Sequence, residues 1–246
     1  MKKSLPSIAG GAFCLLAGAG LVFAQAPAEG GGKPPMTFFV TSEGLAGGAN
    51  LHGLAGADAH CTDLARAATG DRTHTWRAYL STQERPGQPA VNARDRIGKG
   101  PWHNVHGMMI AKDIEDLHGP SNNIHKGALN ELGQMVPGRG TPPDPRDQSW
   151  AYMRTHPFSI RHEILTGTQA DGTAFPPDRD HTCNNWTSEE EGNSPLRART
   201  NTGPGAEIGK SDDSGPWNSQ GVSGGCSREA LARSHGAGLY YCFAID

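Results

Sequence analysis

Four cysteines, Cys61, Cys183, Cys226 and Cys242, constrain the folding of this chain more than any other feature. Cys61 lies in a helix-like stretch from Gly56 to Ala68, and Cys183 precedes Asn184-Asn185-Trp186-Thr187. Cys226 closes a Gly-rich turn, and Cys242 sits in the terminal apolar run Gly238 to Ala244. The fifth cysteine, Cys14, belongs to a segment of another kind. Lys2 and Lys3 precede an apolar run from about Ile8 to Phe23, and Val22-Phe23-Ala24 supplies a cleavage site before Gln25, so residues 1–24 read as a signal peptide. The run is too short and too rich in Gly and Ala for a transmembrane anchor. Cys14 lies inside the apolar stretch rather than after it, which argues against a lipoprotein.

Secretion or periplasmic export places the chain in an oxidising compartment, where an even number of remaining cysteines reads as a disulfide framework. Four cysteines allow three pairings, and the residues alone do not select one. A helix near the start and a strand at the end commonly need tying together, which favours Cys61–Cys242 with Cys183–Cys226. On a chain-entropy model, loops of these lengths contribute roughly 4–5 kcal/mol each, as an upper figure.

Cleavage would remove Lys2 and Lys3 and no acid, taking the formal charge from −3 to −5. A mildly acidic chain argues against nucleic acid or an anionic membrane as a partner, and no membrane span is expected after cleavage. With 34 Gly, 18 Pro and 35% hydrophobic residues, short regular elements joined by many loops are expected. Residues 25–35 form a flexible tether, leaving residues 36–246 as a single domain.

Periodicity places the elements. Met36 to Ser42 is β-branched and aromatic, a first strand, followed by a Gly-rich loop from Gly44 to Gly56. Ala57, Cys61, Leu64, Ala65 and Ala68 share one helical stripe and aim Cys61 at the core. From Thr75 to Ser81, Trp76, Ala78 and Leu80 alternate with Arg77 and Tyr79, as in a half-buried strand. Asn92 is placed to cap a second short helix by accepting from the backbone at Asp95. Met108 to Ala111 is another strand, and Leu239 to Ile245, almost wholly apolar, a central one. A Pro-rich insertion from about Gly133 to Arg161 has neither period, and loops of that length are usually functional or mobile.

Asn50-Leu-His-Gly-Leu-Ala-Gly-Ala-Asp-Ala-His-Cys61 followed by Thr75-Trp-Arg-Ala-Tyr-Leu-Ser-Thr82 resembles the start of the endostatin domain of collagens and its bacterial relatives. Leu165-Thr-Gly-Thr-Gln-Ala-Asp-Gly-Thr173, Thr182-Cys-Asn-Asn-Trp-Thr-Ser188, and the stretches at Gly225-Cys226 and Tyr241-Cys-Phe243 match the same family in the same order. Asn92 to Trp102 is similar to uncharacterised bacterial proteins labelled lectins. The resemblance covers most of residues 36–246. It implies an α+β, C-type lectin-like fold: loop-rich, with two short helices, small antiparallel sheets and two nested disulfides, first cysteine to fourth and second to third. The same scaffold carries glycan, protein and ice binding and catalysis, so the resemblance does not choose a ligand.

Calcium-dependent sugar binding on that fold uses a Glu-Pro-Asn or Gln-Pro-Asp triplet and a Trp-Asn-Asp triplet, because a hard cation needs converging oxygens. Here Trp217-Asn218-Ser219 lacks the aspartate, and Pro177-Asp178-Arg179-Asp180 occupies the region of the first triplet. Asp178, Asp180 and Asn218 are the candidate calcium ligands; the simpler reading is that Trp217 packs, Asn218 caps a turn and no cofactor is bound. His103 and His106 have a spacing that can present two imidazoles, without the third ligand zinc requires. His60, His118, His125, His162 and His181 are scattered singly. Gly221-Val-Ser-Gly-Gly225 has the letters of a nucleophile elbow but lies in a turn, so a hydrolase would need Ser223 paired with His181 or His235 and an Asp. Asn185-Trp186-Thr187 is a glycosylation sequon by pattern, Glu189-Glu190-Glu191 reads as a solvated face, and Arg94, Arg96, Lys99 and Lys112 could form a basic strip. Trp150, Tyr152, Trp186 and Asn218 are the candidate ligand-binding residues, since loop aromatics can stack on a sugar face; core packing is the default reading for Trp102, Trp186 and Trp217. These features point to an exported, non-enzymatic lectin-like protein binding a glycan or, alternatively, an extracellular or envelope protein or matrix.

Overall fold

A computed structural model describes residues 32–45, 47–136, 161–190, 196–199 and 216–246. The signal-peptide and most of the tether assignments, and Trp150 and Tyr152 in the Pro-rich insertion, lie outside the described residues. The elements are β1 (Phe38–Val40), α1 (Gly53–Thr69), β2 (Trp76–Ala78), a 3-10 turn (Ala93–Asp95), β3 (Trp102–His103), β4 (Met109–Ala111), α2 (Ile114–His118) and α3 (Ile124–Gly127). They continue with β5 (Glu163–Leu165), a helical turn (Cys183–Trp186), β6 (Leu196–Arg199), β7 (Gly221–Val222), α4 (Arg228–Arg233) and β8 (Gly236–Ala244). The chain is mixed α+β with small sheets.

The terminal apolar run is the axis of the fold. Cys242 and Phe243 of β8 pair simultaneously with β1 and β2, so those strands lie on opposite edges of it, both antiparallel. Along its first half β8 pairs with β5 in parallel, and β6 and β7 extend the sheet. Burial alternates along β8 between two clusters. Tyr240, Cys242 and Ala244 face one with Ala57, Cys61, Ala65 and Trp186, while Leu239, Tyr241 and Phe243 face the other with Phe38, Tyr79, Trp102 and Trp217. A strand covered on both faces needs an unbroken apolar sequence, and this one has it.

Helix α1 packs Ala57, Cys61 and Ala65 inward, and the Cys61–Cys242 disulfide ties it to β8. It starts earlier than the apolar stripe indicates, at Gly53. Gly56 allows this, because a Cβ there would collide with the Leu51 carbonyl and the His52 side chain. Gly70, at φ +72°, ends the helix with its N–H on the Arg66 carbonyl. The second expected disulfide, Cys183–Cys226, is also formed.

Several expectations are corrected. The main sheet is mixed rather than antiparallel, since β5 runs with β8, and α1 at 17 residues is not short. Tyr79, placed on the polar side of a half-buried strand, is fully buried because the second cluster covers that side as well. Asn92 does not cap the 3-10 turn by the expected bond. Its Nδ2 donates to the Asp95 carboxylate, and its Oδ1 accepts from Ala174 N at 2.9 Å, so it reaches across to another loop.

Candidate functional site

Beyond the sheet, residues 166–188 run as irregular chain, held by side chains more than by ladders. Its firmest point is the turn Cys183–Trp186. Cys183, Asn184, Asn185 and Trp186 all have φ between 50° and 67°, a turn of left-handed helix. Trp186 N donates to Thr182 O at 2.7 Å and Thr187 N to Cys183 O at 3.1 Å. Each non-glycine residue in this conformation costs roughly 1–2 kcal/mol, so the surroundings must over-determine it. Asp180 does so at the entrance, its Oδ1 accepting from Thr182 N at 2.9 Å and its Oδ2 from Asn184 N at 2.7 Å. The Thr182 hydroxyl accepts from Asn185 N at 3.1 Å. The Cys183–Cys226 bridge anchors one end of the turn. At the other, Trp186 is fully buried with its indole N–H on Ser81 O at 2.7 Å.

One buried amide organises the loop before the turn. Gln83 is 2% exposed. Its Nε2 donates to Pro176 O at 2.6 Å and Arg179 O at 2.7 Å, and its Oε1 accepts from His181 N at 2.6 Å. Its own backbone is clasped by Asn185, whose Oδ1 accepts from Gln83 N and whose Nδ2 donates to Gln83 O. The result is a fixed tip with Pro176, Pro177, Asp178 and Arg179 exposed. Phe175 lies against the His181 ring at 4.3 Å between centroids. Burial, then the Arg179 guanidinium, holds the His181 imidazole below its ordinary value.

A second polar cluster holds the preceding turn. Asn218 Nδ2 donates to Tyr79 Oη at 2.8 Å, Gln169 O at 3.1 Å and Ala170 O at 3.2 Å. Tyr79 Oη lies 2.7 Å from His118 Nε2, and His118 Nδ1 lies 2.9 Å from Ile114 O. Gly172, at φ +83°, brings the turn so close that a Cβ would meet His118, Arg94 and Tyr79. Arg94 donates to Asp171 O at 2.8 Å, and Asp171 accepts from Thr173 N and Oγ1. Those bonds to Thr173 hold the Asp171 carboxyl below its ordinary value. Trp217 backs the cluster, its indole N–H on Leu117 O and its ring 4.9 Å from Tyr79. Burial drives the Tyr79 phenol well above its ordinary value and depresses the His118 imidazole.

The residues singled out from the sequence separate on this scaffold. Trp186 is withdrawn from the ligand-binding candidates, because it is fully buried in the core, the default reading for it. Trp102 and Trp217 are core residues too. Asn218, fully buried, turns its N–H groups towards Tyr79 and two carbonyls. Both Asp180 oxygens serve the left-handed turn, and Asp178 Oδ1 accepts from Arg179 N; the three candidate calcium ligands thus make their hydrogen bonds to different partners. Among the described residues no group of three or more His, Cys, Asp or Glu is arranged to hold a metal. The Ser223 hydroxyl, nearly buried, donates to Gly225 O at 2.8 Å. The basic strip is broken up, since Arg96 forms a two-oxygen pair with Asp58 and Arg94 reaches Asp171 O. Asn185 has both carboxamide atoms bonded to Gln83, leaving the sequon side chain engaged. Glu189 and Glu190 are exposed as expected.

No protein-family model matches this chain, and no curated protein does. Geometry must therefore carry the functional reading. A concavity of about 190 Å³ near Thr41, Ser42, Asn130, Gln134, Arg161 and Leu239 is smaller than ordinary small-molecule sites of about 300–1,000 Å³. The pinned loop face is the more developed feature. Sequence reasoning missed Gln83, and its only signal was an amide next to a strand rich in buried residues.

Proposed function

We propose that this chain is an exported, non-enzymatic binding protein of C-type lectin-like, endostatin-like fold, which recognises carbohydrate through its loop face without a standard calcium site. The observation that carries the reading is the way Gln83 and Asn218 hold residues 169–181 from inside the fold while Asn185 ties the following turn back to the Gln83 backbone. Regular structure, a disulfide and a strained turn are spent on fixing an irregular surface, which is how binding loops are pre-organised. The exposed tip offers Phe175 as a half-buried ring, Arg179 and Asp178 as hydrogen-bonding groups, and the rigid Pro176-Pro177 pair. Such a mixture of ring and polar groups suits a sugar, which has C–H faces and hydroxyl edges. The two disulfides agree with an oxidising compartment, and among the described residues no helix is long and apolar enough to cross a membrane.

The test is a glycan array, including bacterial envelope polysaccharides, probed once with calcium and once with chelator. Binding unaffected by chelator is the expected outcome. Binding that needs calcium would return Asp178, Asp180 and Asn218 to consideration as ligands. Silence under both conditions overturns the carbohydrate reading in favour of protein or matrix adhesion. Trp150→Ala reports on the Pro-rich insertion: weaker glycan binding at unchanged melting temperature would extend the recognition surface to it.

A further inference from the structure

The hydrogen bonds around Tyr79 have a direction. Ile114 O can only accept, so His118 Nδ1 carries the ring proton and Nε2 is the lone pair that receives the Tyr79 hydroxyl. Tyr79 Oη in turn accepts from Asn218 Nδ2. The chain runs Asn218 to Tyr79 to His118 to Ile114 O, and it requires a neutral imidazole. The same Asn218 amide group holds Gln169 O and Ala170 O, the start of the turn that Gly172 packs onto His118 and Tyr79. Its other atom, Oδ1, is buried and has no hydrogen-bond partner.

We propose that His118 is a proton-operated latch on the 169–174 turn. A proton taken from solvent onto Nε2 makes both ring nitrogens donors, so Tyr79 Oη must accept from His118 and direct its own hydrogen elsewhere. Asn218 Oδ1 is the unpartnered acceptor on the neighbouring side chain. A half-rotation of the carboxamide brings Oδ1 to Tyr79 and withdraws Nδ2 from Gln169 O and Ala170 O. One proton thereby reverses the existing Asn218–Tyr79 bond, gives Oδ1 a partner and frees the Gln169 and Ala170 carbonyls, which loosens the start of the turn. His118 is half-buried, so solvent protons reach it. The charged and titratable groups that face it are Arg94, Asp171, Glu115 and the Tyr79 phenol. Arg94 opposes the charged ring, Asp171 and Glu115 favour it, and burial opposes it most strongly, which keeps the latch closed near neutral pH. The effect on ligand binding rests on the loop-face reading above; the latch itself does not.

The experiment follows the His118 ring by NMR from about pH 7.5 down to about pH 4.5 and measures hydrogen-exchange protection at the amides of Gln169, Gly172 and Arg94. Those amides donate to Thr173 O, Gln169 O and Gly172 O respectively. Protection at these three sites should fall about tenfold as His118 protonates, with Ala49 and Thr82, whose amides bond elsewhere, unchanged. His118→Gln retains an acceptor for Tyr79 and cannot titrate, so its turn should stay protected throughout. Tyr79→Phe cuts the chain at another point and should also abolish the pH dependence. The proposal is overturned if His118 stays neutral over the whole range, if it titrates without loss of protection, or if His118→Gln shows the same loss. Running the glycan array at both pH values separates the two ideas. A turn that opens in a protein that binds no glycan removes the carbohydrate reading and leaves the latch, whereas pH-independent glycan binding over an unchanged turn does the reverse.

Discussion

The strand β8 and the loop face are held by opposite means. Around β8, two apolar clusters meet on the faces of one strand, and Tyr240, Tyr241, Cys242 and Phe243 are all fully buried. Burial energy there is non-directional and shared among many neighbours, so no single contact decides the outcome. Across residues 169–185 the conformation hangs on a few side-chain groups with fixed geometry: the Gln83 amide, the Asp180 carboxylate, the Asn185 and Asn218 amides. Hydrogen bonds of this kind are individually modest, but a partner left unmade inside the fold is expensive. The chain thus has a redundant half and a half with little redundancy. The second is the half a ligand could meet.

The strongest way to break this comparison is at the link into the redundant half. Replacing Cys61 and Cys242 with alanine should cost about 3–5 kcal/mol, read by urea unfolding. Peptide mapping of the unreduced wild type should first show the 61–242 and 183–226 links; a Cys61–Cys183 link would sink the fold argument. Next comes Gln83→Ala, which leaves two carbonyls and the His181 N–H without their partner and should cost about 2–3 kcal/mol. If the two halves differ as argued, hydrogen exchange will show the loss at His181 and Asn184 before it appears in β8. Uniform loss through both would mean that the loop face is part of the same cooperative unit.

Smaller in effect is the pH dependence contributed by His118. Burial holds its imidazole below the ordinary value of 6.5, so as pH falls the unfolded chain takes up this proton before the folded one does. The contribution is complete above the ordinary value and declines as pH drops from there towards the folded value. His118→Gln should flatten that part of the stability profile, and an unchanged profile would show that His118 does not contribute to it. Smallest is Arg179→Ala at the exposed tip, expected within about 0.5 kcal/mol of wild type because the anchoring of residue 179 uses its backbone carbonyl. Glycan affinity should nevertheless fall if the tip is the contact surface.

The elements most legible in the sequence were those governed by period and composition. The stripe Ala57, Cys61, Ala65 marked the inner face of α1, and the apolar run at the end of the chain marked its central strand. Tyr79 was misplaced because alternation reveals one buried face and cannot show that the other face is covered too. Asn92 reads in the sequence as a helix cap accepting from the backbone at Asp95, whereas its side-chain Oδ1 accepts from Ala174 N. The left-handed turn at Cys183–Trp186 has no local signature: among its residues only the two asparagines tolerate that conformation readily, and Trp186 is held there by burial and by Ser81 O.

The sequence by itself determined the principal helix and the buried final strand, because hydrophobic period is a property of neighbouring residues; which of the four cysteines pair, across 181 and 43 residues, is settled by the fold. Only the tertiary structure decided that Trp186 packs inside, that Gln83 shapes a loop more than 90 residues away, and that Asn218 serves Tyr79 and the 169–170 carbonyls. Those assignments depend on which polar groups meet when distant segments close over a core. A hydrogen-bond donor has no preferred partner until folding brings one within reach.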